Sequence, residues 1–339
     1  MLRIRTALLD EVALFDPLQA DPVTGAIRPH YTGDLHRWRD GSHRALDLGF
    51  AIPASDQPRD VWLRVRSSSA HTVHVQALSW LQAEQSARAR ELLHSLFLGL
   101  MLMFVIWAVL QAALQRERVL GLFALNQAAV FLYAASFFGY WRVLLDGRLA
   151  PAAIDQLSSW CVLLLVGTSC GFHLLLLREF RPRRALWRLA AAILPAWLVA
   201  AAALLAGRAA LALQINMVVG AIFPLLMLAL ALSTRARQDW RGMDAEPPLL
   251  SRKVLIGFYA AIAACAQLAT LPFLGVVQNA TLALNMPVIT GGLSAALMLA
   301  LLTLRGRQLE RRHLATVVSL QQERERREER EQFLAMLTH

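Results

Sequence analysis

The stretch LHSLFLGLMLMFVIWAVLQAAL, residues 93–114, holds no carboxylate, lysine or arginine in 22 positions. A helix rises about 1.5 Å per residue and a bilayer's hydrocarbon is about 30 Å thick, so about 20 such residues cross it. Six further runs repeat this length: Val119–Tyr140, Leu157–Leu177, Ala185–Gly207, Ala209–Ser233, Val254–Gly275 and Leu284–Leu304. Charge interrupts them at His173 and Arg188, each near one end of its run. A soluble protein with 57% hydrophobic residues would need an oversized core, so buried soluble helices are set aside. The expected fold is a mainly α membrane protein, a seven-helix transmembrane bundle over residues 91–304. A small N-terminal β-sandwich precedes it and a cytoplasmic signalling helix follows.

Arginine placement sets the expected orientation. Arg116 and Arg118 lie between runs one and two, and Arg178, Arg181, Arg183 and Arg184 between three and four. Arg235, Arg237, Arg241, Arg252 and Lys253 lie between five and six, and Arg305, Arg307, Arg311 and Arg312 follow the seventh. The alternate loops hold only Arg142, Arg148 and Arg208. Cationic loops stay cytoplasmic, so the N-terminus is expected outside and the C-terminus inside a bacterial inner membrane. Arg88 and Arg90, just before the first run, argue mildly the other way.

The net charge of +10 sits mostly in short loops beside these runs, where topology and anionic headgroups account for it, and no nucleic-acid role is expected. Cys161, Cys170 and Cys265 all fall inside apolar runs, with neither disulfide framework nor zinc spacing. MLRIRTALLDEVALF lacks the apolar core of a signal peptide, which suggests an incomplete N-terminus.

Residues 1–90 read as β. In RDVWLRVRSSSAHTVHVQALSW, Val61, Leu63 and Val65 alternate with Trp62, Arg64 and Arg66, the period of a half-buried strand. After the SSSA turn, Val73, Val75 and Ala77 resume the alternation. TALLDEVALFD is another strand, ahead of the turn-rich DPLQADPVTGA. Four or five strands make a thin sandwich. Trp38, Trp62 and Trp80 suit packing more than the floor of a ligand site, and His30, His36 and His43 lack metal-ligand spacing.

The order LLDEVALF, TGDLHRWRDGSHR, DVWLRVRSSS and then seven apolar runs resembles the bacterial seven-transmembrane receptors with diverse intracellular signalling modules, with their second type of extracellular domain. The resemblance implies a periplasmic sensor domain over residues 1–90, a partial jelly roll lacking its opening strands. It also implies an unknown extracytoplasmic ligand of a carbohydrate-like kind.

Within the runs, Asn126, Gln127, Gln214, Asn216 and Gln267 are expected to make interhelical hydrogen bonds. Pro195, Pro224, Pro272 and Pro287 are candidate kinks. The absence of Asp, Glu or Lys well inside any run argues against a transport pathway, and His173 suits packing or snorkelling better than proton relay.

The tail, RGRQLERRHLATVVSLQQERERREEREQFLAMLTH, has no proline and is expected to be helical for about 50 Å. Leu314, Val317, Val318 and Leu320 form an apolar stripe, and Glu323–Arg327 and Arg327–Glu331 are i,i+4 pairs. Residues 305–332 therefore read either as a solvated helix or as a signalling helix that pairs with a second copy; the apolar ends favour pairing. The last seven residues, 333–339, resemble the start of the phosphoacceptor box of sensor histidine kinases. Phe333, Leu334, Ala335, Leu337 and Thr338 precede His339, the residue such kinases phosphorylate. The resemblance implies a homodimeric two-component kinase cut at its dimerisation and phosphoacceptor domain. It also implies a cognate response regulator, and ATP and magnesium held by a kinase domain with no counterpart here. Two rivals remain: the same receptor driving a cyclic-dinucleotide synthase, and a small-molecule transporter.

Overall fold

The computed structural model describes residues 1–5, 9–21, 23–43, 45–67, 73–234, 251–270 and 280–337. Six short strands open the chain: β1 (Leu2–Arg5), β2 (Glu11–Phe15), β3 (His30–Thr32), β4 (Leu48–Phe50), β5 (Trp62–Arg66) and β6 (His74–Ala77). They form two antiparallel three-stranded sheets, ordered β4-β1-β6 and β3-β2-β5. Leu2 pairs with Phe50 on one side and Ala77 on the other, and Val12 with Thr32 and Val65. Ile4, Leu48 and Phe50 of one sheet share a core with Val12 and Leu14 of the other. The expected alternation holds in part on β5, where Leu63 packs against that core while Val65 is exposed. One ion pair is closed inside this unit: Asp16, fully buried, accepts from Arg59 Nε at 2.9 Å and Nη2 at 3.1 Å.

The rest of the described chain is helical: α1 (Trp80–Gln115), α2 (Arg118–Phe137), α3 (Tyr140–Leu144), α4 (Pro151–Arg178), α5 (Arg184–Ala191), α6 (Ile193–Leu205), α7 (Ala209–Leu232), α8 (Arg252–Thr270) and α9 (Ala280–Leu337). α1 begins two residues after β6, so residues 80–90 are its first turns rather than more sheet. Ser79 starts it with a capping box, its hydroxyl taking the Gln82 amide and the Gln82 side chain returning to the Ser79 amide.

α1, α2, α4, the consecutive α5 and α6, and α7 are long and apolar enough to cross a membrane by length and composition. Their surfaces agree. Leu96, Leu100, Met103, Ile106 and Leu110 of α1 are exposed, as are Met217, Val218, Ile222 and Leu225 of α7. Contiguous apolar surface of that extent is disfavoured in water and suits lipid. The sixth and seventh expected spans overlap α8 and the first part of α9, and residues 271–279 between them lie outside the described residues.

α2, α4 and α7 form the spine: α2 packs on α1 and α4, and α7 on α4, α6 and α8. Phe123, Phe172, Phe223 and Tyr259 fill the centre. The expected interhelical bonds are present at three sites. Asn126 Oδ1 accepts from Ser169 Oγ at 2.8 Å and Thr168 Oγ1 at 3.2 Å, Asn216 Nδ2 donates to the Val162 carbonyl at 3.5 Å, and Gln267 Nε2 to the Ala221 carbonyl at 2.9 Å. Gln127 is buried with Oε1 unpaired, and Gln214 is exposed. Pro195 acts as expected: its ring would clash with the carbonyl of residue 191, where α5 ends and α6 takes over. Pro224 stays inside a continuous α7. Pro272 lies outside the described residues, and Pro287 is within α9.

Candidate functional site

The two sheets sit on the helix ends near residues 80–95 and 138–155, the sheet end of the bundle. Gly33 sets the contact up. Its φ of +138° is open to glycine alone, and a Cβ there would lie 2.4 Å from the Asp10 carbonyl oxygen. The turn it makes lets the Asp34 amide donate to the Leu9 carbonyl at 2.8 Å and the Leu35 amide to Asp10 at 3.0 Å. Asp34 is thereby held beside Asp10 and within electrostatic reach of Arg142 and Asp155 on the helical side. Burial pushes its carboxyl up to about 8; Arg142 opposes that shift, while Asp155 and Asp10 add to it.

Arg142, on the short α3, is buried, and its Nη2 donates to the Ala45 carbonyl of the sheet unit at 3.5 Å. It is surrounded by Asp34 and Asp47 from the sheet unit and Asp146 from the α3–α4 connection. Its Nε has no hydrogen-bond partner. Two ion pairs cross the same boundary: Arg90 of α1 with Asp47, and Arg39 Nε with Asp146 Oδ2 at 3.2 Å. Arg3 of β1 reaches α1 as well, its Nη1 donating to Ser86 Oγ at 2.6 Å. Beneath them His94 stacks flat on Phe138 at 3.9 Å between centroids, and Ser95 Oγ meets Tyr140 Oη at 2.8 Å.

Charges at this junction meet across the two bodies as well as within them. Asp34 and Asp47 reach Arg142 from the sheet unit, and only Leu78 and Ser79 separate β6 from α1. Among the described residues no group of three His, Cys, Asp or Glu is placed to hold a metal.

The sequence-derived candidates fall elsewhere. His339 and Thr338 lie outside the described residues; Phe333, Leu334, Ala335 and Leu337 are in the last turns of α9. His173 is enclosed by Phe172, Phe223 and Tyr259, with Nδ1 3.2 Å from Tyr259 Oη, so it packs in the core and does not snorkel. The three tryptophans have separate surroundings. Trp38 Nε1 donates to the Ala45 carbonyl at 3.0 Å, Trp80 meets His43 edge-on, and Trp62 is exposed on β5. His36 pairs with Glu11 at 3.4 Å.

Sequence reasoning passed over Asp34, Asp47 and His94, and it counted Arg142 only as a loop charge. The available signal was Gly33-Asp34 inside TGDLH, a turn placed before a hydrophobic residue. Nothing local links it to residue 142. Comparison of the chain with family models, with curated proteins and with solved structures gives no match.

Proposed function

We propose that this chain is the sensory and membrane-embedded portion of a homodimeric sensor histidine kinase, with His339 as phosphoacceptor. In this reading the sheet pair is the remaining part of a jelly-roll-like periplasmic domain. α8 and the start of α9 supply the sixth and seventh spans. The observation that carries the reading is α9: one helix of 58 residues joins the last apolar run to Phe333–Leu337 without a break. At about 1.5 Å per residue it is about 87 Å long, far more than a membrane needs. A helix of that kind transmits rotation or a shift of register between its ends. Leu314, Val317 and Val318, spaced i, i+3, i+4 along it, are exposed in the single chain and offer a seam for a second copy.

Histidine suits the chemistry at the far end. A neutral ring nitrogen of His339 attacks the γ-phosphorus of ATP, the bond to the bridging oxygen breaks, and ADP leaves. ATP and magnesium belong in this reading to a kinase domain, and no residue among 1–339 is assigned to them. The phosphoryl group then passes to a response regulator.

The test uses the full-length protein in proteoliposomes with labelled ATP. Acid-labile, base-stable label is expected, and His339→Gln removes it while the protein stays membrane-inserted. Label retained in that variant overturns the assignment. An unlabelled wild type that makes a cyclic dinucleotide from GTP would keep the receptor and replace its output.

A further inference from the structure

Six arginines, Arg178, Arg181, Arg183, Arg184, Arg188 and Arg252, line one cavity of about 1510 Å³ at the opposite end of the bundle from the sheets. They come from the end of α4, the turn after it, α5 and the start of α8. The turn is bent by Arg181, at a left-handed φ of +47°, and tied to the end of α7 where the Arg183 amide donates to Ser233 Oγ at 3.3 Å. Among the described residues no carboxylate forms an ion pair with Arg178, Arg183, Arg184 or Arg188. Residues 235–250 lie outside the described residues; in sequence they carry three arginines and three carboxylates.

One further observation calls for an acceptor here. α5 starts at this turn with no side-chain cap, so its first-turn amides lack a partner from its own helix. Trp187 lines the cavity with its ring, while its Nε1 is closed off from that space. Guanidinium groups gathered round one space repel each other, and a bound anion reverses the sign of that interaction.

We propose that this cavity binds a phosphate-bearing anion. Arginine forks match phosphate oxygens bidentately, and the amides of a helix start add donors for several oxygens at once. Trp187 and Leu232 give the same space an apolar wall, and the exposed apolar faces of the bundle continue from it. That combination favours an anionic phospholipid headgroup over free phosphate as the source. The inference rests on membrane placement of the helices and not on the kinase reading; a chain that never phosphorylates would still bind.

The bland account is that these arginines only mark a loop side and attract headgroups without selection. Native mass spectrometry separates the two. The full chain is released from nanodiscs of phosphatidylcholine doped with cardiolipin or phosphatidylglycerol, and retained lipids are counted. Selective retention of an anionic lipid is expected. Arg183→Gln with Arg184→Gln should weaken it by about tenfold, while Arg116→Gln with Arg118→Gln, an equal loss of charge on another loop, should change it less than about twofold. Thermal melts of each variant check that the fold is kept. Equal loss in both pairs, or no preference over phosphatidylcholine together with no pyrophosphate binding that depends on Arg183 and Arg184, overturns the proposal. Calorimetric titration of lipid-free, detergent-solubilised protein with inorganic pyrophosphate decides the source: binding sensitive to the Arg183/Arg184 pair, without selective lipid retention, upholds the site and makes its ligand a soluble phosphate.

Discussion

Asp34 shows how a single side chain can report on the contact between two bodies. In an unfolded chain its carboxyl would titrate near 3.9. In the folded protein, burial first of all, then Asp155 and Asp10, push it up to about 8 against the pull of Arg142. Between those values the folded state holds a proton that the unfolded state has released. The contribution is therefore complete below about pH 4 and is lost as pH rises through about 8. His43, close by, runs the other way: burial depresses its imidazole, helped by Arg142, Arg3 and Arg90 and opposed by Asp47, so it weakens the fold only on the acid side. The loss between about pH 7 and 8 then belongs to Asp34. Melting of the reconstituted protein, followed by tryptophan emission, should fall across that interval, and Asp34→Asn, which keeps a neutral side chain, should flatten the profile. A variant that retains the full slope removes Asp34 from the account. A second residue-scale expectation concerns Asp16. Burial raises its carboxyl, but the Arg59 hydrogen bonds, the Leu18 amide and the Arg59 charge outweigh that and hold it below the usual range. Arg59→Ala leaves a buried charge uncompensated, so the sheet unit should lose about 3–5 kcal/mol, read as earlier proteolysis of residues 1–79 under mild denaturant.

At the scale of elements, the contrast is between the long helices and β2, β5 and β6, which could be read off the sequence, and the shortest strands, which could not. An apolar run of about 20 residues needs no partner to be recognised, because lipid demands internal hydrogen bonding wherever it lies. α1, α2, α4 and α7 were legible on that ground. β1, β3 and β4 are three or four residues long, and each exists only because a distant strand pairs with it. The junction was invisible for the same reason, since Asp34, Arg142 and Asp155 are brought together by the fold and not by spacing. Close helix contacts are equally non-local. Trp197 of α6 lies over Gly167 of α4 and donates from Nε1 to the Leu163 carbonyl at 2.8 Å; a Cβ on Gly167 would stand 2.4 Å from its ring. Gly167→Ala must displace that ring and should cost about 1–3 kcal/mol. Trp197→Phe should make the same glycine substitution cheaper, a non-additivity that a double-mutant cycle in detergent would read. Additive costs would show that the two do not share one space. α7 offers a milder case: Pro224 cannot close its own helical bond to the Gly220 carbonyl, and Gln267 of α8 donates to the neighbouring Ala221 carbonyl.

For the whole molecule, the question is which end meets which side of the membrane. The helices are apolar enough to cross, and their outward side chains need lipid, yet neither property distinguishes one side from the other. Arginine does. The loops that close the tail end, with Arg116, Arg118, Arg178, Arg181, Arg183 and Arg184, are dense in cations, and the connection at residues 206–208 holds only Arg208. Cations move poorly across an energised bilayer, so the proposed orientation puts the tail end in the cytoplasm and the sheets outside. The six-arginine cavity then faces the leaflet richer in anionic headgroups. The prediction can be checked with two single cysteines. Val23 is 90% exposed in a turn of the sheet unit and Ser319 is exposed on α9, while Cys161 and Cys170 are buried. A membrane-impermeant thiol reagent on intact spheroplasts should label Val23→Cys strongly and Ser319→Cys only after lysis. Cys265 sets the background and is replaced by Ala in both variants. The opposite labelling pattern would place residues 305–337 outside, remove them from ATP, and defeat the kinase reading together with the orientation.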